Sequence, residues 1–395
     1  ASLNHPSVVS VVDYGRTSEG VTFIVMEFIK GITLERIITE QFPLSPPLWN
    51  RLAEIERVRL DRPAQVRCLE RAIAISPDNR HAVRELAEVY QFDDRVEDAA
   101  ELLDKALARD PHDVAASAQL ADLRWATGRR DEAYTLIADA LDIEPYHDHL
   151  WSKLTYFAEV LGRTDEVNDR VRTLAEQRPG EPNAWMTVAY HLRGNDLVLE
   201  RVEAIDRCLN LAPLMVEAHD FKAQVLCDAR KYAEALEACD PPALNGDVPF
   251  NLRGRAAWVE ADRGRIDQAI EQMWALVADH PDYAWGLEQL CNWCANTGDV
   301  TGLTKAADRL VELAPDNPTF LNYRAYAAMT TIEKGTRHTR AERDALRAQA
   351  KQDFQHVAQL DPANIYCTLQ LIDMHIDDKE YEPALAVLDG AQGYL

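Results

Sequence analysis

The most reactive side chains in this chain stand at Cys291-Asn292-Trp293-Cys294 and at His147-Asp148-His149. Two cysteines separated by two residues have the spacing of a zinc or dithiol motif. Zinc needs two further ligands, however, and none follows at a recognisable spacing. The thiols therefore read as core filler, since free cysteine is among the most buried residue types. The histidine pair reads as part of a solvated loop. The sequence has no nucleophile elbow, no phosphate-binding glycine-rich loop and no H-E-x-x-H, so no catalytic constellation, metal or cofactor is expected.

Composition narrows the partners. Over 395 residues, 42 basic side chains face 66 acidic ones, for a formal net charge of −24. That balance repels nucleic acid and anionic membrane surfaces, so neither is an expected partner. Seven scattered cysteines, an odd number, suit a reducing compartment, and a cytoplasmic location is expected. No apolar run approaches the ~18 residues of a membrane span. The start on Ala1 and the end on Tyr394-Leu395, in mid-pattern, suggest a chain cut from something longer.

What must position any functional side chain here is a repeat. Pro77, Pro111, Pro145, Pro179 and Pro213 stand 34 residues apart, and Pro281 and Pro315 keep the same frame. Units beginning at residues 46, 80, 114, 148, 182, 216, 250, 284, 318 and 365 each carry small or apolar residues with helical periodicity. Two amphipathic helices per unit are predicted, with alanines such as Ala99, Ala133 and Ala269 where they cross. A proline stops the second helix, and Gly128, Gly162, Gly264 and Gly298 mark the turn inside a unit. Cys239-Asp240-Pro241-Pro242 should end the second helix of the sixth unit early. The ninth unit is longer by 13 residues, with an insertion placed at about 333–346. Lys334, Arg337, Arg340, Arg343 and Arg347 form a basic island there, read as a solvated surface or, less commonly, a docking site.

In the unit 80–113, Leu86, Ala87, Tyr90, Ala99, Leu103, Ala106 and Pro111 occupy consecutive places of one pattern. The pattern resembles that of the tetratricopeptide repeat family, and the resemblance covers residues 46–395. It implies an all-α fold: a right-handed superhelical solenoid of about ten helix-turn-helix repeats, whose concave surface binds peptides or partner proteins. Family members line that surface with places 2, 5, 9, 12 and 13 of each unit. Carried over, the resemblance offers Glu54, Glu88 and Asp122, then Tyr156, Tyr190, Trp258, Trp285 and Tyr326. Lysine is absent from these places, and Arg57, Arg84 and Arg193 are their cations, which argues against a terminal carboxylate as ligand. An aromatic and acidic surface favours an apolar, aromatic or basic segment. The alternative is that the rings simply pack on the neighbouring unit.

The first 45 residues differ. Val8 to Tyr14 and Val21 to Phe28 read as two strands around a turn, and Thr33 to Thr39 as a short helix. His5-Pro6, Asp13-Tyr14-Gly15, Val25-Met26-Glu27-Phe28 and Gly31-Ile32-Thr33-Leu34 resemble the small lobe and hinge of bacterial Ser/Thr protein kinases. By that resemblance Met26 is the gatekeeper, and Glu27, Phe28 and Ile29 form a vestigial nucleotide hinge. The glycine-rich loop, strand lysine, H-R-D and D-F-G are missing, so residues 1–45 are expected to be a partial kinase-like fragment without phosphoryl transfer. The whole then reads as a non-enzymatic interaction scaffold. The competing reading is a fragment of a kinase whose repeats recruit substrates or regulators.

Overall fold

The structure is a computed structural model and describes residues 11–16, 22–26, 45–194, 197–334, 339–361 and 363–391. It divides into two compact units, Ala1–Thr164 and Asp165–Leu395. Val11–Arg16 and Thr22–Met26 run antiparallel, with Arg16 opposite Thr22 and Val11 opposite Met26. Two short strands bury too little to define a fold, so the architecture rests on the helices. The helix expected at Thr33–Thr39 lies outside the described residues.

In the first unit the helices are α1 (Pro46–Val58), α2 (Arg62–Ile75), α3 (Arg80–Phe92), α4 (Val96–Arg109), α5 (Val114–Ala126), α6 (Arg130–Ile143) and α7 (Asp148–Leu161). In the second they are α8 (Thr164–Gln177), α9 (Pro182–His191), α10 (Val198–Leu211), α11 (Val216–Asp228), α12 (Tyr232–Cys239) and α13 (Phe250–Asp262). The chain continues through α14 (Ile266–Asp279), α15 (Ala284–Thr297), α16 (Val300–Leu313), α17 (Pro318–Lys334), α18 (Arg340–Leu360), α19 (Ile365–Asp377) and α20 (Tyr381–Ala391). The described residues are thus almost wholly α-helical.

Local chemistry explains the boundaries. Asn79 and Asp113 cap α3 and α5 by accepting from the backbone N–H three residues on, and proline opens α1, α2 and α9. The turn inside a unit needs a left-handed residue at its fifteenth place. Glycine supplies it at Gly128, Gly162, Gly264 and Gly298, whereas Leu60, Asp94, Arg230 and Lys379 take the same conformation elsewhere. The glycine rule of the sequence thus holds in some units, and in others tertiary packing imposes the angle on side chains that disfavour it.

Within each unit the core is built from inward-facing places. Ala82, Leu86, Val89, Ala99 and Leu103 are buried in the first, Leu287, Leu290, Ala306 and Leu310 in the second. Ala99 and Ala269 are fully buried, which lets the paired helices approach closely. In the sixth repeat, α12 ends at Cys239 and a 3-10 turn at Pro242–Leu244 follows. With that helix short, α11 packs directly on α13.

In the ninth repeat α17 runs to Lys334 and a long α18 restarts at Arg340, capped by Thr339 and Glu342 in a reciprocal capping box. Lys334, Arg340 and Arg343 of the basic island are exposed, whereas Arg347 is not simply solvated. Arg347 donates to Asp378 and to the carbonyl of Met374, and Lys351 bridges Asp378 and Glu380, so α18 is tied to the acidic end of α19.

Candidate functional site

First helices of successive repeats lie side by side, and polar pairs spaced 31 or 35 residues apart join them. In the first unit, Gln119 donates to the carbonyl of Arg84 at 3.2 Å, and Lys153 to Asp122 at 2.6 Å. In the second, Tyr323 donates to Asn292 at 3.2 Å, and Arg255 donates to Asp220 from Nε and Nη2, both at 2.8 Å. Each spacing is one 34-residue period displaced slightly along the helix, so within each unit the residues belong to one face.

The Arg255 cluster is the most developed group on that face. The guanidinium lies 5.0 Å from the ring centroid of Trp258 and 5.1 Å from that of Trp285. Burial works against its charge, but the paired hydrogen bonds it donates to Asp220 outweigh this and hold Arg255 above the usual arginine range. Tyr283 packs 5.8 Å from Trp285, and a Cβ at Gly254 would stand 2.5 Å from the Tyr283 hydroxyl. Glycine at this place therefore admits the ring. Trp258 and Trp285 are brought together, yet the cation across their faces belongs to this chain. The sequence pattern had proposed those faces for a ligand.

The other residues fall as follows. Tyr156 is exposed and tilted 5.8 Å from Trp125, which stacks on Phe157 at 3.9 Å. Tyr190 is exposed and lies 4.3 Å from Phe221, while Tyr326 is exposed on α17. Glu54, Glu88 and Asp122 are exposed. Arg51 holds the Glu54 carboxyl below its usual range through a hydrogen bond, and Lys153 neutralises Asp122, so part of the acidic end is spent internally. Met26 ends a strand, and Glu27, Phe28 and Ile29 lie outside the described residues. Sequence reasoning missed Asp220, Arg255, Tyr283 and Trp125. Opposite charges one period plus one apart, as at Asp220 and Arg255, were the available signal.

The reactive side chains named first are placed otherwise. Cys291 and Cys294 are fully buried. Burial pushes the Cys294 thiol up to about 12, with Asp299 adding to it, and raises Cys291 as well. His147 and His149 are exposed, 6.4 Å apart. Among the described residues no group of three His, Cys, Asp or Glu side chains is placed to hold a metal. Among them, too, no helix is long and apolar enough to cross a membrane.

Serial helix pairs joined by left-handed turns define an α-helical repeat protein. Residues 66–120 and 93–154 match the family model described as tetratricopeptide repeat. Residues 66–154 of the chain therefore carry tetratricopeptide repeats. Among solved structures it is similar to yeast Tom70, at 11% identity and a TM-score of 0.40, over 89% of this chain and 92% of that one. Curated relatives match a short segment. Serine/threonine-protein kinase pkn3 of Myxococcus xanthus is 42% identical over 43 residues, which is 11% of this chain and 8% of the relative. Serine/threonine-protein kinase PrkC of Bacillus subtilis is 44% identical over 46 residues, 12% of this chain and 7% of the relative. The chain thus spans less than a tenth of the length of the curated relatives it matches.

Proposed function

We propose that the repeat array, residues 46–395, is a non-catalytic interaction scaffold that binds a peptide or partner protein on the concave surface of a right-handed solenoid. The observation that supports this most is the exposure of Tyr156, Tyr190 and Tyr326 at ninth places, beside core places that are fully buried. Large rings left at the surface of a first helix supply contact area at low entropic cost, and burying them would reward a partner. The partner is an apolar or aromatic segment carrying basic residues, because the remaining charge on this face is acidic. Nucleic acid and membranes, repelled by the same charge, are not its ligands, and the protein works in the cytoplasm.

The test is peptide display against the full chain, followed by affinity measurement of a selected peptide. Tyr190→Ala with Tyr326→Ala should weaken binding by at least tenfold, since each truncation of an anchoring ring costs about 1–2 kcal/mol. Unchanged affinity in the folded variant removes the aromatic groove.

A second reading is favoured by the 42% and 44% identity to two serine/threonine kinases. Residues 1–45 are then the remnant of a kinase small lobe and hinge, with Met26, Glu27, Phe28 and Ile29 where an adenine would rest. In a longer parent protein the repeats would recruit substrates or regulators for the kinase. Calorimetry with ATP distinguishes a vestigial hinge, which gives no heat of binding, from a competent pocket.

A further inference from the structure

The polar pairs between first helices follow one rule: place 6 of a repeat reaches back to place 5 or 9 of the repeat before it. At two rungs the earlier residue is a carboxylate and the later one its cation, Lys153 for Asp122 and Arg255 for Asp220. The eighth repeat lacks such a cation. Its place 5 is Glu288 on α15, and place 6 of the next repeat is Tyr323 on α17, which donates instead to Asn292 at place 9. Glu288 is left half-buried, and among the described residues no hydrogen bond or ion pair reaches its carboxylate.

What surrounds this carboxylate is uncharged or already spent. Burial raises the Glu288 carboxyl above its ordinary range, and no cation opposes that shift. Trp285 lies one turn before Glu288 on the same face of α15, and Asn292 one turn after it. Arg255, whose guanidinium is 5.1 Å from the Trp285 ring centroid, gives its paired hydrogen bonds to Asp220. In the flanking repeats place 5 holds Gly254 and Asn322, neither of which carries charge. Glu54, Glu88 and Asp122 are exposed, so water solvates them at little cost. A half-buried carboxylate without a cation is costlier to keep and gains more when one arrives.

We propose that Glu288 is a specificity-determining residue of the peptide face, selecting a lysine or arginine side chain of the bound segment as the cation its own ladder rung lacks. This rests on the groove reading and narrows it: the partner needs its basic residue at one position, rather than anywhere that net charge favours it. Because Arg255 already lies across the faces of Trp258 and Trp285, the carboxylate and not a ring holds the incoming charge. The pair forms in a partly desolvated setting, where a charged hydrogen bond is worth more than at an open surface.

The experiment is a double-mutant cycle between the full chain and peptides selected on it by display. The selected peptides should share a basic residue at one position. Glu288→Gln should weaken their binding at least about tenfold. On a peptide with glutamine at that position the same replacement should have less than about a twofold effect. Glu288→Lys should bind a peptide with glutamate there more tightly than the wild-type chain does. Equal losses for both peptides, unchanged affinity of Glu288→Gln, or bound peptides that share no basic residue overturn the proposal. The groove reading survives each of these if Tyr190→Ala with Tyr326→Ala still weakens binding, whereas recovery of no peptide removes both. A measurement without peptide guards against a structural role for the carboxylate. Glu288→Gln should raise the melting temperature of the free chain by roughly 1–3 °C, because an unpaired half-buried charge is relieved. A melting temperature that falls or stays shows a carboxylate already satisfied within the chain, and overturns the proposal.

Discussion

Replacing Arg324 by alanine should loosen the ninth repeat far more than an ordinary surface change. The Asp353 carboxylate on α18 is 2% exposed and accepts from Arg324 Nε at 2.9 Å and Nη2 at 2.6 Å, with Gln349 Nε2 at 3.0 Å. Removing the guanidinium leaves a buried charge with one neutral donor. Breaking such a pair costs about 3–5 kcal/mol, and the lower end applies because Arg324 reaches solvent and Gln349 remains. About 3 kcal/mol is roughly a hundredfold in an opening equilibrium. Repeat arrays are stabilised by near-neighbour contacts, so the loss should be local. Amide hydrogen exchange is the assay. Protection in α17 and α18 should fall roughly a hundredfold while α14 and α15 change little. The double replacement Arg324→Leu with Asp353→Leu should recover most of the loss, since no charge is then stranded. A single-variant effect below about fivefold, or a double variant no better than the single, would refute the reasoning.

Three further outcomes follow from burial. All seven cysteines are buried, and burial pushes Cys227 and Cys239 up to about 12, so a thiol reagent at pH 8 should label native protein slowly and all seven sites only after denaturation. Burial, with Arg193 nearby, lowers His191 from 6.5 to about 4. The unfolded chain therefore takes up this proton first, and stability falls as pH drops from 6.5 toward 4. At pH 4.5 the loss is at most about 2.5 kcal/mol, and urea midpoints of His191→Gln should show a smaller acid sensitivity than wild type. Gly286→Ala would set a Cβ 2.6 Å from the Tyr283 ring and 2.9 Å from Met273 Sδ. Although alanine favours helix, this overpacking should cost about 1–3 kcal/mol, read as a lowered melting temperature.

Much of the helix layout was written in local chemistry. Proline at the end of a second helix acts through its own ring and missing N–H, so helices open at Arg80, Val114, Val216 and Ala284 in the 34-residue register. The early stop of α12 is likewise a local effect of Pro241 and Pro242. The inward places of Cys291 and Cys294 followed from helical periodicity alone. Composition fixed the acidic character of the whole, but not which carboxylates remain available. Pairing with Arg51 and Lys153, residues of other spacings, decided that for Glu54 and Asp122.

Tertiary structure decided the rest. A periodic pattern places an aromatic on a face without saying what meets it, so only packing showed Arg255 between Trp258 and Trp285 and anchored on Asp220. Arg347, counted in a surface island, became a tie between α18 and α19, because its partners arrive from another repeat. Leu60, Asp94, Arg230 and Lys379 adopt left-handed angles that their own preferences oppose, since the helices on both sides fix the turn between them. Finally, Asp220 and Glu288 hold the same place in their repeats, yet a cation arrives at the one and not at the other. Residue type and periodicity set which face of a helix a charge stands on, but only the neighbouring repeat determines whether that charge is paired.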